Sequence, residues 1–308
     1  MRTEVSQSPA SPYDAAQTPQ EPPDPHLIQA LGELLAKGRF AVLTGAGIST
    51  ESGIPDYRGP ETRRRARNPI RFADYLNNDL LRARYWMRSM LGWPRFAGAS
   101  PNQAHLALAE FEAQGIAFGP ITQNVDGLHQ RAGSLSVIEL HGSLHRVRCL
   151  NCGLIEPRSL LQARLVETNP WVLAHTAELG PDGDADLESE REWLERFVIP
   201  TCLRCGGVLK PDVVFFGENV PHERVEQAYK RIEQASALLV VGTSLAVFSG
   251  YRFVRRAWER SIPIAIVNLG STRADGLATL RIEGKAGEVL EALRKMLNAS
   301  LRNDANQQ

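Results

Sequence analysis

The chain has 308 residues, 43% of them hydrophobic, with 35 lysines and arginines against 35 aspartates and glutamates. That length holds one large domain plus a smaller one, and the composition suits a buried core rather than disorder. The charge balance provides no field for sequence-independent nucleic-acid or membrane binding, and no apolar stretch approaches a membrane span of roughly 20 residues, so neither partner is expected.

Residues 1–25 carry six prolines and almost no large apolar side chains, so a disordered tail is expected there. The segment lacks the apolar core of a secretory signal. Its acidic residues, with Arg2 as the one basic residue, argue against a mitochondrial presequence, and a cytoplasmic protein is expected. Leu27, Ile28, Leu31, Leu34 and Leu35 predict a helix over 26–37, stopped by Gly38. Phe40 to Leu43 reads as a buried parallel strand ending in Gly45-Ala46-Gly47, where backbone amides can approach a phosphate. Helical stretches follow at roughly 72–91 and 103–114, the second stopped by Gly115. Ala117 to Thr122 predicts a strand leading into Gln123-Asn124-Val125-Asp126, and Val137 to Leu140 a short strand presenting His141. Beyond the middle of the chain, Pro221 to Gln234 predicts a helix and Ala237 to Val241 a strand before the turn Gly242-Thr243-Ser244. Ile262 to Asn268 is the last clear strand, and Gly287 to Asn298 a closing helix. This alternation predicts an α/β fold with a doubly wound, parallel, Rossmann-like sheet.

The four cysteines form two Cys-x-x-Cys-Gly knuckles, Cys149/Cys152 and Cys202/Cys205, separated by 49 residues without strong periodicity. Four soft ligands close a tetrahedral zinc site and leave no open position, so one structural ion per chain is expected rather than a catalytic one. Two disulfides or a redox Cys-x-x-Cys are the competing readings; two Cys-x-x-Cys pairs with no spare cysteine favour zinc. The acidic residues Asp182, Asp184, Asp186, Glu188, Glu190, Glu192 and Glu195 mark an exposed insertion with a partial helix. The sheet domain is expected from 26–144 and 211–298, a smaller zinc-binding domain from 145–210, and a C-terminal tail over 299–308.

Gly45-Ala46-Gly47-Ile48-Ser49 followed by Gly53-Ile54-Pro55-Asp56-Tyr57-Arg58 resembles the cofactor loop of the sirtuins. So do Thr122-Gln123-Asn124-Val125-Asp126-Gly127-Leu128-His129, the pair His141-Gly142, the cysteine knuckles, Gly242-Thr243-Ser244-Leu245 and Val267-Asn268. The motifs keep family order and cover roughly residues 27–295. Arg84-Tyr85-Trp86-Met87-Arg88, Gly92-Trp93-Pro94, the run Lys210 to Pro221 and Ser249-Gly250-Tyr251-Arg252 resemble the class II branch.

The resemblance implies NAD as cofactor. The loop Gly45, Ala46, Gly47 and Ser49 would hold phosphates, with Ser244 and Asn268 by the adenosine half and Gly242, Thr243, Leu269, Gly270 and Ala286 also binding the cofactor. Ile54, Pro55, Asp56, Tyr57, Arg58, Val125 and Asp126 would surround the nicotinamide, and Gln123 and Asn124 would position ribose and water. His141 is the expected general base on the nicotinamide ribose, with Asn124 and Asp126 completing the catalytic set, while His105 and His129 orient loops. In the implied reaction the acyl-lysine oxygen attacks the ribosyl carbon, nicotinamide leaves, and free lysine and O-acyl-ADP-ribose result. An acyl-lysine peptide would lie as an extended strand between Val213–Gly217 and Ala246–Phe248, on a monomeric enzyme. Two ordinary loops at the cleft rim are the alternative.

Two other functions use the same residues: a mono-ADP-ribosyltransferase, and a non-catalytic NAD-sensing zinc scaffold. Arg63, Arg64, Arg65, Arg67 and Arg71 form either a basic rim for phosphates or acidic acyl chains, or a solvated loop. Tyr85 and Arg88 are three apart and can share a helical face. They read either as a receptor for an acidic acyl chain or, preferred here, as a core tyrosine beside a surface arginine.

Overall fold

The computed structural model describes residues 22–57, 70–175, 178–179, 185–186 and 191–305. Most of the expected N-terminal tail, Arg58, and Arg63, Arg64, Arg65 and Arg67 lie outside the described residues, as do Asp182, Asp184, Glu188 and Glu190.

The strands are β1 (Ala41–Thr44), β2 (Ile121–Thr122), β3 (Ile138–Glu139), β4 (Gly142–Cys149), β5 (Ile155–Pro157) and β6 (Glu178–Leu179). They continue with β7 (Ala185–Asp186), β8 (Leu209–Val213), β9 (Leu238–Val241), β10 (Ile264–Asn268) and β11 (Leu280–Glu283). The first five helices are α1 (Pro25–Leu35), α2 (Phe72–Asn77), α3 (Asp79–Gly98), α4 (Gln103–Ala113) and α5 (Leu128–Arg131). The others are α6 (Arg158–Thr168), α7 (Arg191–Arg196), α8 (His222–Glu233), α9 (Phe248–Glu259) and α10 (Ala286–Ala305). None is long and apolar enough to cross a membrane.

Six strands form one parallel sheet in the order β11-β10-β9-β1-β2-β3. This is the doubly wound order, and its direction reverses between β1 and β9. Every residue of β1, β9 and β10 is buried, which is why these strands read as unbroken apolar runs rather than alternating ones. Their side chains split between two cores. Val42, Leu239, Val241 and Val267 pack with Leu31 of α1, Phe111 of α4 and Leu293 of α10. Leu43, Val240 and Ile266 pack with Ile232 of α8 and Phe253 of α9 on the other face. Fully burying a side chain of this size is worth about 1.5–3 kcal/mol, so the two layers hold the sheet's carboxyl edge rigidly.

A second, antiparallel sheet has the order β5-β4-β8. Its core joins Val147, Cys149 and Leu209 to Tyr75, Trp86, Met87, Leu161 and Leu165. Two sequence expectations change here. The stretch near 72–91 is two helices, α2 and α3, and they pack on this smaller sheet rather than on the large one. The segment without strong periodicity contains α6, whose buried face is only Arg158, Leu161 and Leu165, too sparse to register as a pattern. The expected domain boundaries at 144/145 and 210/211 fall within β4 and β8, the first of them at the register shift between Ser143 and Val147 in the β4–β8 ladder.

At the large sheet's edges the expected strands shrink. Ala117 keeps a single bridge to Phe40, and regular pairing resumes only at Ile121, after Gly119 and Pro120. A Cβ on Gly119 would lie 2.3 Å from Ser136 O, so the chain there is pressed against a loop instead of a strand. Strand β11 follows the expected last strand and pairs with β10; of its four residues only Ile282 is buried, which hid it from an apolar-pattern reading.

Candidate active site and metal centre

Four turns with small or polar residues leave the carboxyl ends of β10, β9, β1 and β2, and these strands are neighbours in that order. The four turns therefore share one continuous edge of the sheet, with the reversal point at its centre. Gly45 and Gly47 meet the turn after β9 there. Gly47 N–H donates to Gly242 O at 2.8 Å, and Gly45 N–H to Val241 O at 3.2 Å. A Cβ on Gly242 would sit 2.3 Å from Ile48 N, and one on Gly45 would sit 2.5 Å from Thr243 Cβ. These glycines are thus needed for the packing of two turns, beyond any approach to a phosphate. With Ile48 N–H given to Gly45 O, the amide of Ala46 is the donor in Gly45–Ile48 that bonds no group among the described residues.

Ser49, Asn124 and Asp126 converge beside this loop. Ser49 Oγ donates to Asp126 Oδ2 at 2.7 Å, and Asn124 Nδ2 donates to Ser49 Oγ at 3.0 Å and to Asp126 Oδ2 at 3.3 Å. Leu128 N–H donates to Asp126 Oδ1 at 2.9 Å, capping the short helix α5. All three side chains are buried, so each polar atom here must be paired. Ile54 shares an apolar cluster with Val125, Leu128, Leu144, Trp93 and Phe96 against this polar group, while Pro55 is also buried. Asp56 is half-buried and Tyr57 exposed at the end of the described loop. His145, which the sequence left without a role, has Nε2 2.9 Å from Asp126 O and rings of Trp93 and Phe96 against it, so it holds the Asp126 turn in place.

His141 follows β3 and is half-buried at the same edge. Its Nδ1 lies 2.8 Å from Gln123 O, which can only accept, so Nδ1 carries the proton. In the neutral ring Nε2 is then the basic nitrogen. Burial lowers the imidazole's proton affinity below the ordinary histidine value; the Gln123 carbonyl opposes this, and Arg252 and Arg224 add to it. The ring is therefore neutral and able to accept a proton near neutral pH. His129 and His105 orient loops in a separate network: His129 Nε2 lies 2.9 Å from Thr44 Oγ1, and His105 Nδ1 lies 3.0 Å from Asn102 Oδ1 at the N-cap of α4.

Thr243, Ser244, Asn268, Leu269, Gly270 and Ala286 lie toward the β10 side. Asn268 folds its amide onto Leu269 O at 2.9 Å and Gly270 O at 3.0 Å, which closes the turn after β10. Ser244 O accepts from Arg273 N–H at 2.9 Å. Ala286 is the first residue of α10, where Glu51 Oε2 accepts from Gly287 N–H at 2.8 Å, tying the cofactor-loop segment to that helix.

The four cysteines meet in one cluster, with all sulfurs within 4.8 Å of one another. Cys149 and Cys205 sulfurs are 3.5 Å apart and Cys152 and Cys202 sulfurs 3.8 Å, too far for disulfides. A tetrahedral ion with metal–sulfur bonds of about 2.3 Å would place its sulfurs about 3.8 Å apart, close to the two separations seen here, so the cluster suits zinc. The backbone N–H of Cys152 draws the Cys149 thiol down to about 6. Cys205, despite an N–H from Gly207, is pushed up to about 12 by the Cys152 and Cys149 sulfurs. Four cysteine sulfurs gathered this closely suit a bound cation, which would hold them as thiolates.

A sequence model of the Sir2 family matches residues 45–249, two thirds of the chain. This chain belongs to the Sir2 family. The human NAD-dependent protein lipoamidase sirtuin-4, mitochondrial, is 48% identical over 277 residues, 88% of each chain. An NAD-dependent protein deacetylase from Bordetella bronchiseptica is 51% identical over 264 residues, covering 85% of this chain and 96% of its own. A Sir2 structure with deacetylated p53 peptide and 3'-O-acetyl ADP ribose aligns at TM-score 0.70 and 29% identity, covering 87% of this chain and 98% of its own. A Sir2 complex with p53 peptide and NAD aligns at TM-score 0.66 and 30% identity, over 89% and 98%. The rim segment Val213–Gly217 is hydrogen-bonded within the protein. Val214 N–H already donates to His141 O at 2.8 Å, and Phe215 N–H to Glu218 Oε2 at 2.7 Å. Phe216 O accepts from Phe72 N–H at 2.9 Å. Val214 and Phe215 N–H and Phe216 O are therefore committed to the protein itself, and Ala246 and Phe248 are exposed.

Proposed function

We propose that this Sir2-family protein is an NAD-dependent protein-lysine deacylase that releases nicotinamide and O-acyl-ADP-ribose. The observation that carries the reading is His141: its Nδ1–H is anchored on Gln123 O, which leaves Nε2 as a base at the edge that also carries Asn124 and Asp126. NAD, when bound, supplies the electrophilic ribosyl carbon and the nicotinamide leaving group. Ala46 N–H suits a phosphate, and Ser244, Asn268 and Ala286 line the β10 side for the adenosine half. Asp126 and Asn124, both buried, would face the nicotinamide and its ribose when NAD is bound, and the buried Ile54 would keep water from the bond being broken. His141 takes the proton of a ribose hydroxyl at Nε2, the step worth typically about 10²–10⁴-fold in rate.

The relatives support the chemistry: the two curated ones carry the names NAD-dependent lipoamidase and NAD-dependent deacetylase. We place the acyl-lysine peptide as an extended strand between Val213–Gly217 and Ala246–Phe248, on a monomer with one zinc ion, and the protein in the cytoplasm, a compartment that keeps four thiols reduced. We also keep the division into a discontinuous NAD-binding unit and a zinc-binding unit. Mass spectrometry of a mixed acyl-peptide library, with and without NAD, tests the reading. The expected products are free lysine peptides and O-acyl-ADP-ribose. Label transferred from NAD to protein without that product would make the enzyme an ADP-ribosyltransferase, and no NAD consumption would make it a scaffold.

A further inference from the structure

The basic nitrogen of His141 has a partner that the sequence reading passed over. Ser249 Oγ lies 2.8 Å from Nε2. Since Nδ1 holds the ring proton, Nε2 offers a lone pair and Ser249 is the donor. Ser249 stands in the first turn of α9, and that turn is braced on the other anchor of the same imidazole. A Cβ on Gly250 would lie 2.4 Å from Gln123 Oε1. Gln123 Nε2 donates to Thr243 Oγ1 at 3.0 Å, in the turn leading toward α9. Leu245 in that turn holds φ 56°, a left-handed conformation unusual for leucine, which swings the chain toward His141. Gln123 thus fixes Nδ1 through its carbonyl while its side chain supports the segment that brings Ser249 to Nε2. The imidazole is clamped at both nitrogens by one packed unit.

A substrate hydroxyl that approaches Nε2 meets the Ser249 hydroxyl there. We propose that Ser249 is a further catalytic residue, a proton carrier that links the substrate hydroxyl to His141. Ser249 gives its own proton to Nε2 and takes the proton of the hydroxyl being activated. One substrate O–H bond breaks and one Oγ–H bond forms; the earlier Oγ–H bond breaks and an Nε2–H bond forms. The electron pair stays on the substrate oxygen, the imidazole becomes a cation, and Ser249 is unchanged. A hydroxyl suits this task because one atom both donates and accepts. The charged groups that act on the ring are Arg252 of α9 and Arg224 of α8, and both disfavour the cation, so the proton is readily returned.

The inference rests on the assignment of His141 as base, and the experiment separates the two. Ser249→Ala, Ser249→Thr and His141→Ala are compared in the full chain. kcat is measured at saturating NAD and peptide, and the His141 ring nitrogens are followed by NMR through a pH titration without either substrate. Ser249→Ala is expected to lower kcat roughly tenfold to a hundredfold and to raise the His141 titration midpoint, because the neutral ring loses its donor. Ser249→Thr, which keeps the hydroxyl, is expected to retain kcat within about threefold. A Ser249→Ala enzyme within twofold of wild type, an unmoved midpoint, or a threonine variant as slow as the alanine one overturns the proposal. Activity surviving in His141→Ala removes the base assignment itself; its loss beside an unaffected Ser249→Ala removes the proton carrier alone.

Discussion

Gly47 N–H donates to Gly242 O at 2.8 Å across the point where the sheet reverses direction. Two turns nearly 200 residues apart in sequence are joined backbone to backbone there, and no side chain fits between them. Gly242 also holds φ 60°, and its Cβ would lie 2.3 Å from Ile48 N. Gly242→Ala is therefore expected to destabilise the fold by roughly 3 kcal/mol, from left-handed backbone strain plus displacement of the Gly45 loop. Urea unfolding measures it. A midpoint equal to wild type would mean that the two turns are not mechanically joined.

His141→Ala should leave the fold and the zinc content intact. Deacylation should fall by about 10²–10⁴-fold, the usual contribution of a general base. Wild-type turnover at saturating NAD would refute the base assignment. Because His141 titrates below the ordinary histidine value, kcat/KM in the wild type should hold steady as pH falls from 7.5 and decline only below about 6.5. A decline beginning above pH 7 would contradict the burial of the ring.

Cys149→Ser should lose zinc and folding together. A closed thiolate site contributes its binding energy to folding, and Cys149 lies buried in the core of the smaller sheet with Val147 and Leu209. Metal analysis of wild-type protein should find about one zinc per chain. Active, freshly purified protein without zinc would defeat the assignment.

Stability should fall in mild acid through His105. Burial lowers its proton affinity from 6.5 to about 4, with Asp126 opposing, and His129 is lowered by burial and by His105. A folded value below the unfolded one means that the unfolded chain binds more protons between the two. Stability is thus complete above about pH 6.5 and is lost as pH falls toward 4. The His105 contribution at pH 5 is about 2 kcal/mol. Urea midpoints at pH 7.5, 6 and 5 check this, and a flat profile would show that these rings are accessible to protons in the folded state.

The setting of Tyr85 bears on acyl choice. Its ring is buried edge-on against Tyr75, Trp86 and Phe215, with centroids 5.7, 5.1 and 5.5 Å away. That setting favours a core tyrosine over a receptor for acidic acyl chains. Arg88→Met is expected to change turnover of acetyl and longer aliphatic acyl peptides by less than about threefold. A selective loss of succinyl or glutaryl removal, from a wild type that prefers them, would reverse the conclusion.

The sequence by itself determined the parts that depend on local pattern. Buried parallel strands write continuous apolar runs, so β1, β9 and β10 were legible, and their turns carried the site residues with them. Cysteine spacing likewise announced the four-sulfur cluster before its geometry was known. What only the tertiary structure decided is which groups meet. The Gly45 loop is tied to its neighbours through Gly45, Gly47 and Ile48 N–H groups, whose partners no local pattern names. The second partner of His141 stands 108 residues away on a helix whose first turn carries no chemical motif, and His145 took a role only once Asp126 was seen beneath it. Edge strand β11 and helix α6 stayed hidden for the same reason: with so few buried side chains, their pairing and packing come from neighbours distant in sequence rather than from their own periodicity.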